Sequence, residues 1–304
     1  MAITTTKRKN LPKLDSSALI EAKGYFQGKD YLLAPPLLRA AYSDRMAWIC
    51  ASMSQLAYDR YELGNDEITR QFEAKLESGG FKLIDTFNSD ETGTQAFLAS
   101  HDDFAVLAFR GTERNWRDVQ TDILARRIKT SSGRIHAGFR QAYESVRPQI
   151  EKSLRKVARL PVYITGHSLG GALATIATQN LESNPKFEFQ IAACYTFGSP
   201  RVGNAEYDPN IKSSFFRIVN TVDIVTVIPL LAMGFVHVGD IRFLERQNEL
   251  FRRGIPFFKR LFAFVFGFSN LVGDHGIQEY RRKLELIAKR RSRSLFGDSR
   301  SPGR

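Results

Sequence analysis

The spacing of apolar residues changes several times along this chain, and each change marks an element. Over 37–58 they recur three and four apart (Leu38, Ala41, Met46, Ile49, Met53, Leu56), which predicts a helix. A weaker helical stretch covers 67–76 and is broken by Gly79-Gly80. Residues 81–84 and 94–99 alternate as strands do, with a turn at Asn88-Ser89-Asp90. The run 104–109 is apolar throughout, as expected of a strand covered on both faces. A helix follows from Gly138, and Pro148 marks a bend in it or a new first turn.

Further along come a strand at 162–165, a helix over 172–177, strands at 191–197 and 215–219, a late strand pair at 235–238 and 241–244, and a last helix over 276–288. Strands alternating with helices predict an α/β fold with a mainly parallel central sheet flanked by helices. No internal repeat is visible. The expected layout is a flexible arm over 1–35 that ends at Pro35-Pro36, one α/β domain over 36–288 with an apolar insert at about 252–272, and a basic disordered tail over 289–304.

The turn between the strand at 162–165 and the next helix reads Gly166-His167-Ser168-Leu169-Gly170-Gly171. A strand, a Gly-X-Ser-X-Gly turn and a helix together lift a serine hydroxyl clear of the sheet and aim the next backbone N–H at the same space. Glycines suit both flanks because strand and helix crowd together there. The bland alternative is a glycine-rich turn with a capping serine.

A serine hydroxyl needs a base, and the base needs an acid to orient it. In this architecture the chain order is Ser, acid, His. Of five histidines, His101 and His136 precede the serine, and His167 adjoins it and is expected to point away along the turn. His237 lies in a strand pattern among apolar neighbours, as a packed, hydrogen-bonded imidazole would. His275 sits in the glycine-flanked loop Gly273-Asp274-His275-Gly276 before the last helix, which favours it as the base. Asp223 follows a strand's carboxyl end, where catalytic groups gather, and leads Asp208, Asp240 and Asp274 as the acid. The oxyanion donors would be the backbone N–H of Leu169 and Thr112, which follows the strand at 104–109; a plain Gly-Thr turn explains Thr112 equally well.

Composition changes the picture in two ways. The formal charge is +12, and Lys289-Arg290-Arg291-Ser292-Arg293 lies near a segment rich in phenylalanine, of which the chain has 23. That pairing suits an anionic membrane surface better than nucleic acid, and no nucleic-acid-binding signature is present. Cys50 and Cys194 are the two cysteines; both fall in apolar elements and imply no disulfide framework. The first residues carry no apolar stretch of signal-peptide character. These features predict a cytoplasmic protein, peripheral at a membrane, with leaderless export left open. No pattern speaks to oligomeric state.

Together, Phe109-Arg110-Gly111-Thr112, Asn115-Trp116, His136-Ala137-Gly138-Phe139, the Ser168 turn, 196–204 (Thr-Phe-Gly-Ser-Pro-Arg-Val-Gly-Asn), Asp223 with Pro229, and Asp274-His275 followed by Tyr280 resemble the class 3 lipases over roughly residues 81–285. The resemblance implies an α/β-hydrolase fold and hydrolysis of lipid acyl esters, with nucleophile Ser168, acid Asp223, base His275, oxyanion donors Thr112 and Leu169, and no metal or organic cofactor. In that family a mobile lid follows the oxyanion strand. Here the corresponding residues 113–133 are strongly polar, and the basic, Phe-rich 252–268 is a second candidate for a membrane-facing flap. The rival readings are a catalytically silent lipid-binding or membrane-tethering protein, and an acyltransferase or thioesterase using the same residues.

Overall fold

The computed structural model describes residues 16–29, 41–61, 64–111, 127–131, 133–185, 189–207, 211–220, 223–227, 229, 233–244, 251–252 and 275–296. Its centre is an eight-stranded sheet: β1 (Lys82–Ser89), β2 (Thr94–Ser100), β3 (Ala105–Phe109), β6 (Val162–His167), β7 (Ile191–Phe197), β8 (Ser214–Asn220), β9 (Asp240–Leu244) and β10 (Phe251–Arg252), in that spatial order. Strands β4 (Arg127–Thr130) and β5 (Gly133–His136) form a separate hairpin. The sheet is antiparallel from β1 to β3, parallel from β3 through β9, and antiparallel again at β10.

Six helices are described: α1 (Ser16–Lys23), α2 (Asp44–Leu56), α3 (Asp66–Ser78), α4 (Ala137–Leu154), α5 (Leu169–Ser183) and α6 (Ile277–Phe296). The sheet separates two apolar cores. Phe97, Ala99, Val106, Ala108 and Tyr163 face α2 and α6; Ala96, Leu98, Leu107, Val162 and Ile164 face α4 and α5. Side chains alternate across a strand, so a sheet buried on both faces needs the continuous apolar run seen in β3; every position of β3 and β6 is buried. Each fully buried Val, Leu, Ile or Phe in these layers contributes roughly 1.5–3 kcal/mol.

Several expected boundaries move. Helix α2 starts at Asp44, not 37, because the Ser43 hydroxyl accepts the Met46 N–H at 3.3 Å and caps it there; residues 37–40 lie outside the described ones. The first hairpin turns after Ser89, through residues 90–93, so Asn88 and Ser89 belong to β1. Pro148 does not begin a new helix: it sits inside α4 at an exposed position. The pair expected at 235–238 and 241–244 is half right. Residues 240–244 are β9, whereas Val236 makes only an isolated bridge to Gly203, and the chain turns at Gly239 (φ 78°), where a Cβ would strike Phe215.

The described residues within both expected end segments include helix. Within 1–35, helix α1 is followed by Tyr25 and Phe26. The Phe26 ring is buried near Trp48, and the Arg281 guanidinium lies 4.0 Å from the centre of the Tyr25 ring. Helix α6 runs on to Phe296, through the first half of the expected tail. Two of its basic residues there find acids: Lys289 pairs with Glu285 and Arg291 with Asp44 at 2.9 Å. Among the described residues, no helix is long and apolar enough to cross a membrane.

Candidate active site

The parallel strands point their carboxyl ends to one side of the sheet, and the predicted residues collect there. Ser168 follows β6 directly, with φ 55° and ψ −127°. That left-handed conformation costs a non-glycine residue about 1–3 kcal/mol and persists only where the surroundings impose it. Here the Ser168 N–H donates to the Phe197 carbonyl (2.9 Å), and the Ser168 carbonyl accepts from the Gly171 N–H (2.9 Å). The flanking glycines are sterically required: a Cβ on Gly166 would overlap the Gly170 carbonyl, and one on Gly170 the Phe109 carbonyl. Ser168 occupies the N-cap position of α5 but its side chain makes no capping bond. The capping-serine alternative therefore fails.

The hydroxyl meets the base instead. Ser168 Oγ lies 2.9 Å from His275 Nε2, and His275 Nδ1 lies 3.0 and 2.9 Å from Asp223 Oδ1 and Oδ2. A carboxylate only accepts, so Nδ1 carries the proton and Nε2 presents a lone pair to the hydroxyl. Asp223 is buried, beyond the end of β8, and has two further donors: the Tyr280 hydroxyl at 2.6 Å and the Val225 N–H at 3.0 Å. Tyr280 accepts from the Asn220 N–H at 2.9 Å, and the buried Lys283 donates to the Asn220 side chain at 3.0 Å. The turn after Asp223 is closed by the Thr226 hydroxyl, which donates to the Asp223 carbonyl at 2.8 Å. His237 in turn bonds the Thr226 carbonyl.

The other candidates are elsewhere. Asp240 is exposed and paired with Arg242 at 2.6 Å. Asp208 and Asp274 lie outside the described residues. His101 stacks on Phe104, and His136 caps α4 by accepting the Phe139 N–H at 3.3 Å. His237 is hydrogen-bonded as expected, although not within a strand. The expectation for His167 is wrong: its ring faces the base, Nε2 lying 2.6 Å from the His275 carbonyl oxygen and Nδ1 2.9 Å from the Tyr58 hydroxyl. A lone histidine beside a nucleophile carries no signal of this in the sequence. The same holds for Tyr58, Asn220 and Lys283, whose partners are 60 or more residues away. Leu169 opens α5, so its N–H is one of those a helix leaves without an intrahelical acceptor. Thr112 lies outside the described residues, as do most of 113–133 and nearly all of 252–272; of those stretches, Arg127–Thr130 and Gly133 belong to the β4–β5 hairpin, which the sequence patterns did not indicate. Gly111 does place the end of β3 against the nucleophile, since a Cβ there would fall 2.6 Å from the His167 carbonyl.

The family profile described as "Lipase (class 3)" matches residues 106–233, the stretch from β3 past Asp223. Over those residues the chain resembles the class 3 lipases. It is 33% identical over 171 residues to a lipase of Rhizopus niveus, covering 52% of this chain and 43% of that one. Over 182 residues it is 37% identical to the secreted mono- and diacylglycerol lipase A of Penicillium cyclopium, covering 57% and 59%. A solved structure titled "A serine protease triad forms the catalytic centre of a triacylglycerol lipase" superimposes with a TM-score of 0.57 at 25% identity, covering 67% of this chain and 82% of that one. The fold is thus that of the α/β-hydrolases. The chain spans less than two thirds of the length of these two sequence relatives.

The similarity to a relative named as a secreted lipase overturns the cytoplasmic expectation. Cys50 and Cys194 are fully buried, and burial pushes both thiols up, so neither offers the thiolate that oxidation needs.

Proposed function

We propose that this protein is a serine carboxylic ester hydrolase that releases fatty acids from acylglycerols or phospholipids at a lipid surface. His275 takes the Ser168 proton, and the serine oxygen attacks the ester carbonyl. The Leu169 N–H and Thr112 hold the oxyanion. The His275 imidazolium, stabilised by Asp223, then protonates the leaving alcohol. Water, deprotonated by the same imidazole, releases the acid and restores Ser168. The observation that carries this reading is the 2.9 Å approach of Ser168 Oγ to His275 Nε2 with Asp223 behind it. The names of the Rhizopus and Penicillium relatives support the substrate class.

The net charge of +12 and the basic, phenylalanine-rich residues 252–268 favour an anionic membrane as the surface. Fluorophosphonate labelling followed by product analysis on a lipid panel tests the chemistry: Ser168 must label, and free fatty acid must accumulate. A protein that does not label would be a silent lipid binder, and acyl groups passed to an alcohol or amine rather than to water would mark an acyltransferase. Deleting 255–268 is expected to abolish binding to anionic liposomes while leaving hydrolysis of a soluble short-chain ester. Unchanged liposome binding would remove that segment from the membrane contact.

A further inference from the structure

His167 has no part in the reaction as drawn, yet it is buried at the centre of the site. Its neighbours are few and specific. Nε2 approaches the His275 carbonyl oxygen at 2.6 Å, Nδ1 approaches the Tyr58 hydroxyl at 2.9 Å, and its ring lies 4.6 Å from that of His275 and 6.0 Å from that of Tyr280. A carbonyl oxygen cannot donate, so the His167 proton must be on Nε2. Nδ1 then has only a lone pair, and the Tyr58 hydroxyl must donate to it. Tyr58, just beyond α2, therefore selects the tautomer that grips the base.

We propose that His167 is a positioning residue for the Ser168–His275 pair: as an Nε2–H imidazole fixed by Tyr58, it holds the His275 main chain at the distance the proton transfer needs. The inference rests on the hydrolytic reading. Asp223 can orient the His275 ring through Nδ1, but it cannot set where the main chain bearing that ring lies. His167 can, because it is covalently next to the nucleophile and hydrogen-bonded to the base. One side chain thus spans the two residues whose separation governs the reaction. Its charge state fits the task. Burial, followed by the nearby His275, pushes its pKa well below the ordinary histidine value, so it does not repel the imidazolium that forms on His275 during turnover.

The test compares His167→Leu, His167→Gln and Tyr58→Phe with the native chain, by kcat and KM on a soluble short-chain ester, by the rate of fluorophosphonate labelling, and by imidazole 15N spectra of the resting native protein. His167→Leu should lower kcat about 100-fold, as a misplacement near 1 Å does, with KM within about threefold of native. Labelling should slow in parallel. His167→Gln, whose amide N–H can reach the same carbonyl, should recover about tenfold of that loss, and Tyr58→Phe should cost about threefold to tenfold. The spectra should show His167 protonated at Nε2. Equal kcat for the Leu and Gln variants, a Leu variant within twofold of native, or a proton on Nδ1 would each overturn the proposal. Should the Leu variant not fold, the Gln and Phe variants carry the comparison. A native protein that labels but hydrolyses no ester would sink the hydrolytic reading alone, and the labelling rates would still decide the role of His167.

Discussion

The two halves of the site are built by different means. The nucleophile is held by backbone: a left-handed Ser168, two main-chain hydrogen bonds, and glycines whose missing Cβ atoms let β6, α5 and β3 close together. The acid and base are held by side chains that arrive from distant elements: Tyr280 from α6, His167 from β6, Tyr58 from beyond α2, and His237 from before β9. A backbone-built site tolerates almost no substitution but repeats as a short motif. One built from side chains can lose a partner and degrade by degrees.

The sharpest test of that contrast is Ser168→Gly. It removes the nucleophile and also the strain, since glycine adopts positive φ readily. Ester hydrolysis should fall by at least about 10⁴-fold, while stability to urea rises by about 1 kcal/mol. A less stable variant would show that the turn is not strained. Next comes Gly198→Ala. Gly198 is a backbone device in the acid half: it has φ 56°, and a Cβ there would lie 2.5 Å from Asp223 Oδ2. Activity should fall about 100-fold as the carboxylate is displaced. A variant within threefold of native would show that the close approach at Gly198 does not set the position of the acid.

Tyr280→Phe should cost less, about tenfold in kcat, because Asp223 keeps the His275 ring and the Val225 N–H as donors. A complete loss would mean that the side-chain half fails as abruptly as the backbone half. The smallest effect is a pH dependence. His167 is kept neutral when folded, whereas in the unfolded chain it titrates near 6.5. Its contribution to stability is therefore fully present above about pH 6.5. As the pH falls below that value, the unfolded state binds a proton that the folded state does not, and stability drops by up to about 1.4 kcal/mol per pH unit. The difference in urea midpoint between the native chain and His167→Gln should widen in favour of the Gln variant from pH 7.5 to pH 5. A constant difference would show that His167 is protonated in the fold.

This division also explains what could be read in advance. The Ser168 turn was legible because its steric needs are local and dictate residue types at fixed spacing. The inner strands were legible because burial on both faces requires unbroken apolar runs, as in β3. Asp223 and His275 were singled out only through chain order and their places on loops, which narrow the field without revealing a contact. The partners of those two residues were hidden because a hydrogen bond across 57 or 108 residues leaves no periodicity behind. The β4–β5 hairpin was missed because a short, polar, four-residue strand pair carries too few apolar positions to show alternation. The anchoring of Tyr25 and Arg291 escaped for a related reason: Arg281 against Tyr25 and Arg291 against Asp44 look like solvated charge until their partners are known.

The two thiols lie at 0% exposure, Cys50 on α2 and Cys194 on β7, while Ile20 on α1 is 72% exposed. An Ile20→Cys chain would therefore carry one reactive sulfur, on a helix remote in sequence from Ser168. A fluorophore or a bead linker could be attached there, with no need to remove native cysteines first.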